Sequence, residues 1–180
     1  TVGVRQHDYL LPRLYRIEKH GKALSLLAEG RTTRVVWTVA CLEGRLFVLE
    51  APTKSGTGPG RLCEMDPRTG VELGEAASSL WAPAGLPVRL VAGDAELALI
   101  CRSVDGQFRV VSIDSELRRV LRDHPLPGPV HSVVGIHGSL MAYLDYPPFG
   151  GAEDQSLCFF DLGAGREVKR LQVAQFLQGL

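Results

Sequence analysis

An acidic residue recurs along the chain at an almost constant spacing. Glu18, Asp66, Asp114 and Asp161 lie 48, 48 and 47 positions apart. Carboxylates serve as general acids, nucleophiles or metal ligands, but paired carboxylate chemistry needs two of them within about 10 Å. One carboxylate per repeat supplies no such pair, and a turn follows each one. We therefore expect these side chains to accept hydrogen bonds from the backbone N–H groups of that turn.

A second column of polar residues lies five positions before the acidic column. Its members are Arg13, Arg61, Arg109 and, in the last copy, Ser156. A guanidinium pairs well with carboxylates, so this column is a candidate for a wall that binds a carboxylate ligand. We expect each arginine instead to pair with an acidic neighbour, or to lay its stem along the start of a strand.

The other residues that could carry chemistry lack the spacing of a catalytic or metal site. The five histidines form neither an HxH nor an HExxH pattern, and there is no Gly-x-Ser-x-Gly elbow. The glycine-rich segment 56–60 contains Pro59, which removes a backbone donor that a phosphate cradle would need. The sequence therefore predicts no catalytic residue, no metal site and no cofactor.

The four cysteines, Cys41, Cys63, Cys101 and Cys158, show neither CxxC nor Cys/His ligand spacing. Cys63 and Cys158 occupy a repeat column that holds Val111 in another copy, which indicates an apolar packing position. We expect buried thiols rather than disulfides or metal ligands. From them we infer an intracellular, reducing location.

The composition favours a folded, soluble protein with protein partners. Twenty basic residues balance twenty acidic ones, and 45% of the residues are hydrophobic. Proteins that bind nucleic acid or anionic membranes usually show a basic excess, so neither partner is expected. No apolar run approaches the roughly 18–20 residues that span a bilayer. Because the chain starts at Thr1 inside a repeat, we expect it to belong to a longer chain or a multi-subunit complex.

Short runs of β-branched and aromatic residues, separated by Pro and Gly turns, surround both columns. They predict three units of four strands, over 34–77, 88–123 and 130–172, with the last two strands of another unit over 12–28. The fourth strand of the second unit is predicted over Leu117–Asp123. The tail Val173–Leu180 has apolar residues at helical spacing. The chain, 1–180, is then a single domain or a fragment of one.

Two passages in these units carry a resemblance to a known superfamily. Arg61–Leu73 and Cys158–Val168 show a third-strand, turn, fourth-strand pattern that resembles the WD40-like and quinoprotein-like repeats of β-propellers. Where WD40 blades have the Trp of their Trp-Asp pair, this chain has Met65, Ile113 and Phe160, so the subfamily stays unresolved. The resemblance implies an all-β fold, a partial β-propeller of about three and a half four-stranded antiparallel blades. A β-sandwich of about 14 strands is the alternative.

In such a blade the loops after the second and fourth strands emerge on one face, here called the loop face. The long connections 52–60, 77–87 and 146–155 all belong to it. Because loops often carry binding residues, we predict Trp81, Tyr146 and Phe149 as binding residues on this face. Alternatively, Trp81 and Phe149 fold back and cap the ends of the sheets.

The sequence thus predicts a non-catalytic protein–protein interaction scaffold that binds through the loop face. An enzyme is less favoured, since no catalytic pattern is present. One alternative is a propeller enzyme or small-ligand sensor whose central-funnel site is completed by absent blades. Another is a structural part of a larger assembly. We also expect the chain alone to self-associate through its unpaired first or last sheet.

Overall fold

The structure is a computed structural model that describes residues 13–17, 24–29, 34–52, 59–145 and 154–173. Within these residues nearly all of the regular secondary structure is β-strand. The strands are β1 (Arg13–Ile17), β2 (Leu24–Glu29), β3 (Arg34–Leu42), β4 (Arg45–Pro52), β5 (Arg61–Met65), β6 (Glu72–Glu75), β7 (Leu86–Ala92), β8 (Glu96–Arg102), β9 (Phe108–Asp114), β10 (Val120–Pro125), β11 (Val130–His137), β12 (Leu140–Asp145), β13 (Ser156–Asp161) and β14 (Arg166–Gln172). Two short 3-10 helices, Ser78–Leu80 and Ala82–Ala84, connect β6 to β7.

The strands form three four-stranded sheets and one pair. The first sheet is β3-β4-β5-β6, the second is β7-β8-β9-β10 and the third is β11-β12-β13-β14, while β1 pairs with β2. All neighbouring strands are antiparallel and follow one another along the chain. Each sheet is therefore a simple meander, which needs only the tight Pro and Gly turns that the sequence supplies.

The three sheets pack face to face in the order of the chain. We call the side of a sheet that faces the next sheet its forward face, and the opposite side its backward face. Alternate residues of a strand point to opposite faces, so each of the middle strands feeds two interfaces. The first interface contains Phe47, Leu49, Leu62, Leu97, Leu99 and Val111. The second contains Ala98, Ile100, Val110, Met141, Tyr143 and Cys158.

The way the sheets meet identifies the architecture. The first strands β3, β7 and β11 lie in contact, one sheet to the next. The fourth strands β6, β10 and β14 are mostly exposed on the outside. Sheets that share an inner edge and present their outer strands to solvent form an arc, which is a partial β-propeller. The predicted fold class is confirmed, since a sandwich has two layers and not three sheets in series.

The fourth strand of the second unit, predicted over Leu117–Asp123, starts only at Val120. Leu117 has a left-handed φ of 59° and a buried side chain, so it belongs to the turn that closes the β9–β10 hairpin. The predicted tail helix lies outside the described residues, apart from Val173. Within the described part of the chain, no helix is long and apolar enough to cross a membrane.

The cysteines follow the prediction with one exception. Cys63, Cys101 and Cys158 are buried thiols, whereas Cys41 is exposed. Burial raises the pKa of Cys63 and of Cys101 to about 12, and that of Cys158 to about 11. Cys41 escapes burial because it points to the opposite face of β3 from its neighbours Ala40 and Leu42, which the first interface buries.

Candidate functional site

The loop face is formed by the connections that follow the second and fourth strands. The described connections are Pro59 and Gly60 before β5, the helical segment between β6 and β7, the turn at 103–107, the segment at 126–129, and residues 154–155 before β13. Tyr146 and Phe149, two predicted binding residues, lie outside the described residues. Their role stays a prediction.

Trp81 is not exposed on this face, so the expectation of a surface anchor is wrong for this residue. The indole is completely buried in the interface of the first and second sheets. Its ring N–H donates a hydrogen bond to the carbonyl oxygen of Pro59. This contact ties the β6–β7 connection to the loop before β5, as the capping alternative for Trp81 predicted. Burial of its large apolar surface favours this position over exposure.

The turn between β8 and β9 presents an apolar residue that the sequence analysis did not single out. Val104 is fully exposed at its tip. The Ser103 N–H donates to the Gln107 carbonyl at 2.9 Å, and the Gly106 N–H donates to the Ser103 carbonyl at 3.0 Å. The Ser103 hydroxyl also bonds to the Asp105 carboxylate, which lowers the pKa of Asp105. These hydrogen bonds close the turn and leave Val104 facing solvent.

Two larger side chains stand at the base of this turn. The Arg102 guanidinium lies 5.9 Å from the centroid of the half-buried Phe108 ring, within cation–π range. Gly85 packs against the backbone of Arg102, because a Cβ at this glycine would lie 2.7 Å from the carbonyl carbon of Arg102. The helical segment that contains Trp81 therefore supports the β8–β9 turn from behind.

The arginine column is engaged within the fold at the same end of the sheets. Arg61 bonds to Glu72 and lies 2.9 Å from a carboxylate oxygen of Glu75. Arg109 lies 2.9 Å from an oxygen of Asp123. These pairs confirm for Arg61 and Arg109 the expectation that the arginines meet acidic neighbours, and they leave neither guanidinium bare as a wall for a carboxylate ligand. The side chain of Arg13 lies outside the described part of the structure.

The third sheet has a different ion pair at the position of the arginine column. Ser156 replaces the arginine, and Arg170 of β14 reaches across to the buried Asp145 of β12. Arg170 also pairs with Glu167 at 2.8 Å. Oδ1 of Asp145 is buried and has no hydrogen-bond partner. Each described sheet therefore carries charged side chains where the loop face begins.

The acidic column lies at the opposite end of the sheets and closes turns, as predicted. Oδ1 of Asp66 accepts hydrogen bonds from the backbone N–H groups of Arg68 and Thr69, at 2.6 and 3.1 Å. Asp114 and Asp161 each accept two equivalent bonds in their own turns. These bonds lower the pKa of Asp66 and of Asp161. In Asp114 burial opposes the shift, but the backbone bonds prevail and its pKa is also lowered. Glu18 lies outside the described residues.

The inner strands share a β-bulge where they reach the loop face. The register shifts between Val36 and Thr38 in β3, between Pro87 and Arg89 in β7, and between Val130 and Ser132 in β11. The exposed Arg89 donates a hydrogen bond to the carbonyl of His131, at 3.1 Å. Bulges redirect side chains and are common beside binding sites. We call this region, where the inner strands β3, β7 and β11 reach the loop face, the funnel mouth.

The described residues contain no group of three or more His, Cys, Asp or Glu side chains placed to hold a metal ion. The shallow cavity of about 250 Å³ between the second and third sheets is mostly apolar and lies at the outer edge of the arc. Its walls come from the end of β10 with Leu126 and Pro127, and from Phe160 and the start of β14.

Comparison with known proteins supports the fold. No protein-family model matches the chain, and no curated protein matches it. Among solved structures it is similar to a chain from a structural and mechanistic analysis of two prolyl endopeptidases, with a TM-score of 0.57 and 16% identity over 89% of this chain. The match covers 23% of that chain, so this protein spans about a quarter of its neighbour's length. At this identity the likeness supports a propeller-like fold alone.

Proposed function

We propose that the chain is a non-catalytic protein-interaction module that binds a protein partner through its loop face. The observation that carries this proposal is the β8–β9 turn, which holds Val104 fully exposed in a hydrogen-bonded conformation. An apolar side chain fixed in place loses little conformational entropy on binding, so it contributes efficiently to affinity.

The surroundings of Val104 suit a protein partner. Arg102 and Phe108 flank the turn, and Arg and aromatic residues are the types most often found at the energetic centre of protein interfaces. The paired charges of Arg61 and Arg109 lie further along the face and offer a polar rim. This mixture of an apolar centre with balanced charges favours a protein surface over the phosphate backbone of a nucleic acid.

We keep Tyr146 and Phe149 as proposed binding residues, because the sequence has them between β12 and β13, in a long connection after a second strand. Trp81 has a supporting role in this proposal. Through Pro59 and Gly85 its segment joins the loop before β5 to the base of the Val104 turn.

The test places a photo-crosslinking amino acid at position 104 in the complete chain. Val71 provides the matched control, because it is another exposed valine but lies at the opposite end of its sheet, beside the turn that Asp66 closes. We expect adducts with partner proteins from position 104 and not from position 71. Excess unlabelled protein should suppress them, whereas the Val104→Asp variant should not.

Adducts of equal yield from both positions would contradict a loop-face site. So would undiminished competition by Val104→Asp, since this change places a charge at the proposed centre. The Val71→Asp variant should compete as well as the unchanged protein, which controls for a general effect of added charge.

A second candidate function is a small-ligand sensor at the funnel mouth, and the shared bulges of β3, β7 and β11 favour it. Arg89 makes this region suited to an anionic ligand. A thermal-shift titration with citrate and with inorganic phosphate tests this candidate. A saturable stabilisation that Arg89→Ala removes would support it, and no shift with either anion would count against it.

A further inference from the structure

The arginines at the loop-face end of the sheets differ in what they contact. Three of them form ion pairs with carboxylates of their own sheet, namely Arg61, Arg109 and Arg170. Arg89 donates a hydrogen bond to a backbone carbonyl. Arg102 is exposed and lies over the ring of Phe108, but within the described residues its guanidinium has neither a carboxylate partner nor a hydrogen-bond acceptor.

The carboxylate nearest to Arg102 along the chain is engaged elsewhere. Asp105 accepts a hydrogen bond from the Ser103 hydroxyl, and this bond is the main cause of its lowered pKa. A cation–π contact is made by the charge of the guanidinium and does not use up its N–H donors. Those donors form a planar fork that fits a carboxylate, so Arg102 keeps the capacity to bind one.

Arg102 and Val104 are presented together. Val104 follows Arg102 by two positions and is fully exposed. A Cβ added at Gly106 would lie 3.8 Å from a guanidinium nitrogen of Arg102, so the guanidinium lies alongside the turn that carries Val104. An extended peptide advances about 3.3 Å per residue, so neighbouring residues of one segment can meet both side chains.

We infer that Arg102 binds the carboxylate of an aspartate or glutamate in an extended segment of the partner, while an apolar residue beside that acid packs on Val104. This inference rests on the proposed function of the loop face and names the chemistry of its partner. Charge complementarity is its basis, because a cation without a carboxylate partner next to an apolar side chain matches an acid next to an apolar side chain.

The carboxylate of a chain end fits this turn less well than that of a side chain. Proteins often capture a C-terminal carboxylate with several free backbone N–H groups. In this turn the N–H groups of Ser103 and Gly106 already donate to carbonyls of the turn itself. The guanidinium of Arg102 therefore has to supply the contact, and it can do so for an internal acidic residue.

The test selects peptides that bind the complete chain from a random library displayed on phage. Each peptide is joined to the coat protein through its C-terminus, so no terminal carboxylate is offered. We expect the selected sequences to carry Asp or Glu within two positions of Leu, Ile, Val or Phe. Synthetic copies with amidated C-termini then give Kd values by fluorescence anisotropy, each beside a copy in which Asn or Gln replaces the acid.

The unchanged protein should bind an acidic peptide about tenfold more tightly than its amide copy. Arg102→Gln should remove this preference, whereas Arg102→Lys should keep part of it because the positive charge remains. Arg68→Gln is the matched control and should keep all of it, since Arg68 is an exposed arginine in the Asp66 turn at the opposite end of the sheets. Circular dichroism will verify that each variant is folded.

Selected peptides without acids would overturn the inference, and so would an acid preference that Arg102→Gln leaves unchanged. A library that yields no peptide whose binding depends on Val104 would overturn it as well. The proposed function is judged separately, by the adducts from position 104 and by the effect of Val104→Asp on competition. A loop-face partner that does not need Arg102 is therefore distinguishable from the absence of a loop-face partner.

Discussion

At the scale of single residues, the repeat is clearest in the aspartates that close turns. Each carboxylate accepts two backbone N–H bonds, and this contact is the same in three turns of different sequence. It was predictable because the donors lie within five residues of the acceptor. A local contact of this kind depends on the turn and hardly on the packing of the sheets.

These contacts give a pH prediction. The pKa values of Asp66, Asp114 and Asp161 are lowered in the folded state. In acid the unfolded chain therefore binds more protons than the folded one. The stabilisation that the ionised aspartates contribute is complete above the pKa of an unfolded aspartate, about 3.9, and is lost as the pH falls through the lower pKa values of the folded state. We expect the urea concentration at the midpoint of unfolding to decrease as the pH is lowered below about 4.

The single variant Asp161→Asn should flatten that drop, because one depressed carboxyl is removed. Glu43→Gln, an exposed carboxylate in the β3–β4 turn, is the control. If Asp161→Asn retained the full acid dependence of the unchanged protein, the turn contacts would not be its source.

The cysteines give a second prediction at this scale. Cys63, Cys101 and Cys158 are buried and burial raises the pKa of each thiol, so little thiolate is present at neutral pH. We expect iodoacetamide to modify Cys41 alone in the folded protein and all four residues in denaturant, as read by peptide mass spectrometry. Rapid modification of Cys101 under native conditions would contradict the packing of the first interface.

Sequence reasoning failed at residues whose environment depends on distant parts of the chain. Trp81 occurs in a long connection between strands, and only the approach of Pro59 and the neighbouring sheet explains its burial. Val104 was overlooked because its turn is short. A signal was present, since a valine between Ser103 and Asp105-Gly106 occupies a turn position where an apolar side chain has little to pack against.

At the scale of elements, the connection between β6 and β7 links the core to the proposed site. Trp81 anchors it in the first interface, and Gly85 ends it with a φ of 109° against the backbone of Arg102. A side chain at position 85 would need a strained backbone and would overlap the base of the Val104 turn. This glycine therefore sets how closely the two elements approach.

Gly85→Ala should destabilise the protein by about 2–4 kcal/mol, from the strained φ and the overlap together. Gly74→Ala is the matched control, because an added Cβ there meets nothing within 4 Å and the residue has no positive φ. We expect it to change stability by less than about 1 kcal/mol. Equal midpoints in urea for the two variants would show that the close approach at Gly85 is not tight.

The strand pattern was predictable because the alternation of apolar residues and the Pro and Gly turns are local signals. The forward and backward faces were harder to assign. Val110 and Val111 are identical residues at adjacent positions, yet they face different interfaces, and only the register of β8 and β9 decides which is which.

At the scale of the whole molecule, the described residues form an arc of repeated sheets, and the proposed binding surface lies on its loop face. The loop face presents the Val104 turn. In an antiparallel meander the loops emerge along the strand direction, while the sheets stack across it. A partner can therefore bind the loop face without disturbing the interfaces between the sheets.

The central claim is that equivalent sheets are related by similar rotations about one axis. Thr69, Arg118 and Ala164 test it, because each is exposed and each donates its backbone N–H to the aspartate of its own turn. Spin labels on Cys at pairs of these positions, in a Cys41→Ser background, give three distances by double electron–electron resonance. We predict similar distances for 69–118 and 118–164, with 69–164 longer than either but shorter than their sum. Clearly unequal neighbouring distances, or a 69–164 distance equal to the sum, would contradict the arc.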